Sequence, residues 1–106
     1  MAQLKSVAAI DLIAGTTPVY EVSAETPYAK VTELIVSNTS GSTVSCKVSV
    51  YKASTNQTVV IIPSLQLLSN QSHIIGMATC LNTNDKILCD ASQPNCIDVL
   101  VSCVEM

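Results

Sequence analysis

The sequence predicts an all-β fold, a two-sheet antiparallel β-sandwich of jelly-roll-like form with about eight strands, and three observations carry that expectation. Apolar and polar residues alternate over short runs. Val44, Cys46, Val48 and Val50 fall on one parity, and Ser45, Lys47, Ser49 and Tyr51 on the other. A period of two belongs to an extended strand with one face buried. Clusters of Asn, Ser, Thr, Gly and Pro separate these runs at the close spacing of a sandwich or barrel. Hydrophobic residues make up 48% of the chain against 12% charged, with no Phe or Trp. The core must therefore be built from Val, Ile, Leu, Ala and Cys, which suits two sheets packed closely face to face.

Taken in order, Leu4–Ile13 reads as an N-terminal strand and Gly15-Thr16-Thr17-Pro18 as a turn. Val19–Val22 is a short strand that ends in the polar stretch Ala24–Pro27. Ala29–Lys52 reads as a long hairpin turning at Asn38-Thr39-Ser40-Gly41, where Gly tolerates positive φ and Asn bonds its own backbone. In its first arm Thr32, Leu34 and Val36 share a parity. The turn Ser54–Gln57 leads into Val59–Ile62, an unbroken β-branched run that Pro63 should stop. Ser64–Ser72 reads as a loop pinned by Leu65, Leu67 and Leu68, with room for one helical turn at its start. His73–Ala78 is a strand, Asn82–Asp85 a turn, Lys86–Ala91 a strand and Ser92–Asn95 a turn. In the final strand, Cys96–Val104, the residues Ile97, Val99, Val101 and Cys103 alternate with Asp98, Leu100 and Ser102. No stretch carries a helical period. At 106 residues the expected organisation is a single domain, 1–106.

Several classes of function lack their residues here. A net charge of −3, with five scattered Lys and Arg, offers no basic face for nucleic acid. The apolar stretch at 7–14 is interrupted by Asp11 and is far shorter than the roughly 20 residues a spanning helix needs, so no membrane partner is expected. Without an export signal in the sequence, synthesis in the host cytoplasm is the expectation. The cysteines form no C-x-x-C pair and there is one His, so no metal site is predicted. With three glycines there is no phosphate loop, and no cofactor is expected. A Cys–His nucleophile would require His73 beside a reactive thiol and an orienting group. His73 opens a strand after a polar turn, where a solvated imidazole is the ordinary state. No catalytic residue is assigned.

The order of turns and strands carries a resemblance. Thr17-Pro18-Val19-Tyr20 is followed by Val31–Gly41 with its N-T-S-G, then by an alternating strand and Ile62-Pro63. Leu81-Asn82-Thr83-Asn84-Asp85-Lys86-Ile87 and a valine-alternating final strand complete the series. Over residues 17–105 this resembles the small β-sandwich structural proteins of tailed-phage virions, whose chains carry an N-T-S-G hairpin and an L-N-x-x-D-x-I turn. The resemblance implies a non-enzymatic virion component of the capsid-decoration (cement), neck or tail kind, with other virion proteins as partners. It supplies no catalytic residues. The chain departs from the usual pattern at Ala24–Thr26, where a Pro-Ala-Gly type turn is common, and in its five cysteines.

Candidate interface and cross-linking residues follow from parity. Cys46 and Cys103 fall on core faces, and Cys89 joins them behind Ile87. Cys80 borders a turn and Cys96 stands on the polar side of Ile97, so these two are the expected exposed thiols. Cys89 and Cys96 would sit opposite each other in a hairpin, yet their parities differ, so a bridge there needs a bulge. The odd thiol count leaves one unpaired or paired with a second chain. Ile35 and Leu100 fall on faces assigned to solvent, as does Leu65 in its loop, and together they suggest a surface covered by another subunit in a homo-oligomer or lattice. The alternative is a secreted or cell-surface β-sandwich binding module, glycosylated or carbohydrate-binding. Its support is the three acceptor motifs at Asn38, Asn56 and Asn70.

Overall fold

A computed structural model describes residues 2–106 and contains eight strands. They are β1 (Gln3–Ala9), β2 (Gly15–Glu21), β3 (Tyr28–Asn38), β4 (Val44–Lys52), β5 (Gln57–Leu67), β6 (Ser72–Asn82), β7 (Lys86–Ala91) and β8 (Ile97–Glu105). One antiparallel sheet has the order β1-β8-β3-β6 and the other β2-β7-β4-β5. Consecutive strands cross between the sheets everywhere except at β4–β5, which gives the jelly-roll arrangement of two four-stranded sheets. The predicted all-β sandwich is present.

The aliphatic core lies between the sheets. Leu34, Val36, Val99 and Val101 from one sheet meet Val44, Val48, Val50 and Ile87 from the other. Parity in β4 and β8 follows the sequence pattern, with Val44, Cys46, Val48 and Val50 buried, as are Ile97, Val99, Val101 and Cys103. In β3 a bulge between Val31 and Glu33 changes the phase. Ala29 and Val31 are buried before it, Leu34 and Val36 after it, and Thr32 is left exposed. A bulge adds one residue and so moves every later side chain to the opposite face.

Several boundaries differ from the sequence reading. β3 and β4 do not form a hairpin, because they belong to different sheets and Asn38–Gly41 is the corner between them. Gly41 lacks a positive φ. Instead the buried Asn38 builds the corner with its side chain. Its Nδ2 donates to the carbonyls of Ser42 (2.7 Å), Leu67 (3.2 Å) and Leu68 (3.1 Å), and its Oδ1 accepts from the Ser40 amide (2.9 Å) and hydroxyl (2.7 Å). The first strand stops at Ala9, and Asp11 turns the chain at φ 50° with its amide donating to the Asp98 carboxylate. Gly15–Pro18 is the first half of β2, paired with β7. Pro63 does not end β5, and 64–67 is neither loop nor helical turn but strand. β5 lies at a sheet edge, and bulges opposite Cys46–Ser49 absorb the residues around Pro63. An edge strand tolerates the missing N–H.

The turns use asparagine in a way that explains its abundance. Asn56, Asn70, Asn84 and Asn95 each adopt positive φ, one in every connection from β4 to β8. Asn enters the left-handed region at less cost than other residues with a Cβ. The L-N-x-x-D-x-I stretch forms the tie at the other end of the sandwich. Asp85 is fully buried and its carboxylate accepts from the amides of Asn82 (2.8 Å) and Ala53 (2.9 Å) and from the Lys52 ammonium. Its backbone carbonyl accepts from the Val22 amide (3.0 Å), so three connections meet there.

Burial alone would raise the pKa of Asp85, but Lys52 and the two amide donors outweigh it and hold the carboxyl below its usual range. A depressed folded-state value adds stability that is fully present above the unfolded value near ~3.9 and is lost as pH falls through the folded value. Urea unfolding followed across the acid range should show this limb. In Asp85→Asn it should flatten, with lower stability at neutral pH because Lys52 loses its partner.

Candidate functional site

The best-defined surface feature is the outer face of the β1-β8-β3-β6 sheet. The register aligns Ala8 with Leu100, Leu100 with Ile35 and Ile35 with Ile74, so one apolar row crosses all four strands. Ile74 is 70% exposed and Leu100 39%, while Ile35 between them is half-buried by its neighbours. The row on one side is Ser6, Ser102, Glu33 and Gly76; the row on the other includes Asp98, Ser37 and Ser72. An apolar strip with a polar border is the composition of a protein-binding patch. Sequence parity identified Ile35 and Leu100, and the topology makes them cross-strand neighbours. Ile74 and Ala8 were missed because their alignment depends on which strands pair. Leu65 does not belong here; it lies in β5 of the other sheet, half-buried against the core.

The thiols separate into two groups. Cys80 is exposed on the outer face of the edge strand β6. It aligns through Lys30 and Val104 with Leu4, two rows from the apolar strip. Cys96 is half-buried and its Sγ donates to the Pro94 carbonyl (3.2 Å). Cys89 and Cys96 are not brought together in a hairpin, because β7 and β8 belong to different sheets, and all five cysteines are free thiols. Cys46, Cys89 and Cys103 are buried. His73 alternates to the face of β6 opposite Cys80, so these two do not form a nucleophile pair.

Within the core, Cys46 on β4 and Cys89 on β7 occupy diagonal positions of one face, since Cys46 aligns with Ala91 and Val48 with Cys89. The neighbouring Cys46 thiol, and after it burial, pushes the Cys89 thiol well above its ordinary range. Thr17 aligns with Cys89 from the other side, and its buried Oγ1 has no hydrogen-bond partner among the described residues. Thr17, Cys89 and Cys46 thus lie side by side across β2, β7 and β4 on the core-facing side of one sheet. At the sandwich margin the Tyr20 hydroxyl donates to Glu105 (2.5 Å), which also receives Lys5 at 3.4 Å. Burial, then this bond to a carboxylate, raises the Tyr20 phenol far above its usual value. The contact ties β2 of one sheet to β1 and β8 of the other.

Of the three glycosylation motifs, Asn38 is 2% exposed with its amide fully engaged and is closed to modification in the folded chain. Asn56 and Asn70 are exposed.

No protein-family model matches the chain, and no curated protein matches it in sequence. The fold recurs among solved structures. A chain of the T13 particle of IBDV, infectious bursal disease virus, superposes with a TM-score of 0.62 at 10% identity, covering 99% of this chain and 31% of its own. The present chain thus spans about a third of that protein's length. A chain of the acid-stable capsid of the Helicobacter pylori bacteriophage KHP30 gives 0.63 at 13% identity, covering 99% of this chain and 87% of its own. A chain of the Bacillus endospore appendages, a family of disulfide-linked pili, gives 0.58 at 8% identity, with coverages of 100% and 87%. The shared property is a β-sandwich fold of the kind found in capsid and pilus proteins.

Thiol reactivity checks the assignment of faces. In the folded, reduced protein, brief alkylation followed by peptide mapping should label Cys80 first and Cys96 more slowly. Cys46, Cys89 and Cys103 should stay unlabelled until denaturant is added.

Proposed function

We propose that this chain is a non-catalytic structural subunit of a virion, which decorates or stabilises the capsid or neck of a tailed phage through protein–protein contacts. The observation that carries the reading is the apolar row Ala8, Leu100, Ile35 and Ile74, which runs across one entire sheet face. An isolated monomer gains nothing from holding Ile74 in water, whereas a neighbouring subunit would bury it. Support comes from the jelly-roll arrangement shared with the IBDV and KHP30 particle chains, and from the phage-like order of turns in the sequence. The residues expected to meet a neighbour are Ile35, Leu100, Ile74 and Ala8. Cys80 stands at the margin of the same face, where a disulfide to a second chain would cross-link the assembly once it leaves reducing surroundings.

A second reading, a subunit of an extracellular fibre, is favoured by the exposed Cys80 together with the likeness to the disulfide-linked pili. Subunits of that kind would form covalent ladders under oxidising conditions, and Cys80→Ala would abolish them. A virion subunit held by the apolar face would assemble without any disulfide.

Sedimentation of the pure protein, alone and with phage shells lacking it, tests the first reading. The wild type should self-associate or co-sediment with shells at fixed stoichiometry. Ile74→Asp combined with Leu100→Asp should prevent both while leaving folding nearly unchanged, since exposed substitutions usually alter stability by less than about 0.5 kcal/mol. A stable wild-type monomer that ignores shells under reducing and oxidising conditions alike contradicts it.

A further inference from the structure

The sandwich has four edge strands, β1 and β6 in one sheet and β2 and β5 in the other. A free edge presents unpaired N–H and C=O groups, and proteins blunt such edges with Lys, Pro, inward charges, bulges or short length. Three of the four carry these devices. β1 has seven residues and holds Lys5 in register with buried Cys103, so its charge stands on the core-side parity of the edge. β2 also has seven residues, with Pro18 and a bulge beside it. β5 has Pro63 and two register shifts. β6 has none of them, running for eleven residues, Ser72–Asn82, without a Pro, Lys, Arg, Asp or Glu. Its exposure alternates unbroken from end to end, and the register shift in its ladder with β3 lies on the paired side. Among the described residues, 73–81 make no backbone hydrogen bonds beyond that ladder.

We propose that the free edge of β6 pairs with β6 of a second copy of this chain, antiparallel about a twofold axis, and joins two four-stranded sheets into one of eight strands. The occupant follows from the edges themselves. Each copy offers one unprotected edge, so a β6–β6 seam is the pairing in which neither side meets a proline, a bulge or an inward charge. The axis that opposes all eleven residues passes between the two Met77 residues. It sets Gly76 across from Ala78, Ile75 across from Thr79 and Ile74 across from Cys80 of the second copy. Opposed residues then share a face, as an antiparallel ladder requires, and no like charges meet. Pairing satisfies the free N–H and C=O groups of alternate residues, about five per strand. It also covers part of Ile74, which is 70% exposed in the single chain. The seam goes beyond the face contact proposed above, because it uses the sheet edge and leaves Leu100, Ile35 and Ala8 free for a different neighbour.

Charges placed across the seam test both the partner and the register. Gly76 lacks a positive φ and has open space where a Cβ would stand, and Ala78 is exposed, so both positions accept long side chains in the folded single chain. Gly76→Lys with Ala78→Lys opposes like charges twice across the axis, and so does Gly76→Glu with Ala78→Glu. In reducing buffer, sedimentation equilibrium of the wild type should show dimers. Each double variant, folded by circular dichroism and thermal melting, should bind itself at least about tenfold more weakly, and an equimolar mixture of the two should recover dimers. Residue-resolved amide exchange should show alternate β6 amides protected in the wild-type dimer and unprotected in either double variant alone. Ile74 belongs to both the face and the seam, whereas Leu100 belongs to the face alone. Leu100→Asp should therefore leave this dimer intact, and a failure of the face contact reads separately from a failure of the seam. A wild type that stays monomeric with freely exchanging β6 amides overturns the proposal, as do double variants that dimerise like the wild type or a mixture that stays monomeric. Protection of β6 that appears only when a foreign protein strand is added overturns it as well.

Discussion

The structure depends on the corner at Asn38. A jelly roll requires the chain to leave one sheet and enter the other between β3 and β4, and a tight hairpin there would place both strands in the same sheet. The Asn38 carboxamide prevents that pairing by satisfying the backbone of the corner itself. It caps Ser40 from one side and engages the carbonyls of Ser42, Leu67 and Leu68 from the other, so it also fixes the exit of β5. A buried amide with this many partners is expensive to replace, because each orphaned partner would carry its own desolvation cost. Asp85 has the equivalent role at the opposite end, where it gathers the connections after β2, β4 and β6. The aliphatic core supplies cohesion between the sheets but little direction, and these two polar ties specify which strands cross.

Once the crossings are fixed, the surfaces follow. β8 and β3 become the central strands of one sheet, and their outward residues Leu100 and Ile35 are neighbours. Adding β6 and β1 at the edges extends the pair into a row with Ile74 and Ala8. The other sheet faces solvent differently. Its edge strand β5 exposes Val59, Val60 and Ile61, but Pro63 and the bulges beside it interrupt the edge ladder. Those are the features that discourage edge-to-edge pairing. The face of the β1-β8-β3-β6 sheet, with its apolar row, is therefore the surface better suited to a partner.

The sequence makes strand content and most facing directions legible, because a period of two survives wherever a strand is regular. Val44–Val50 and Ile97–Cys103 are examples. It fails at Thr32, where a bulge shifts the phase, and at Pro63, where an edge position removes the usual penalty. The larger miss is topological. N-T-S-G between two alternating runs has the local chemistry of a hairpin, and only long-range bonds from Asn38 to Leu67 and Leu68 distinguish a corner from a turn. The same limit hid the placement of Cys46 and Cys89 on adjacent strands, since 89 appeared tied to 96 by proximity in sequence. Ile35 and Leu100 were legible as outward apolar residues, but their adjacency was not.

The central claim is that the outer face of the β1-β8-β3-β6 sheet is buried when the chain assembles. Hydroxyl-radical footprinting of the isolated protein and of its assembled form measures this side chain by side chain. The account predicts that oxidation of Ile74, Leu100 and Leu4 falls on assembly while Val59 and Val60 on the other sheet stay as reactive as before. Unchanged labelling of Ile74 and Leu100, with protection confined to β5, would contradict it.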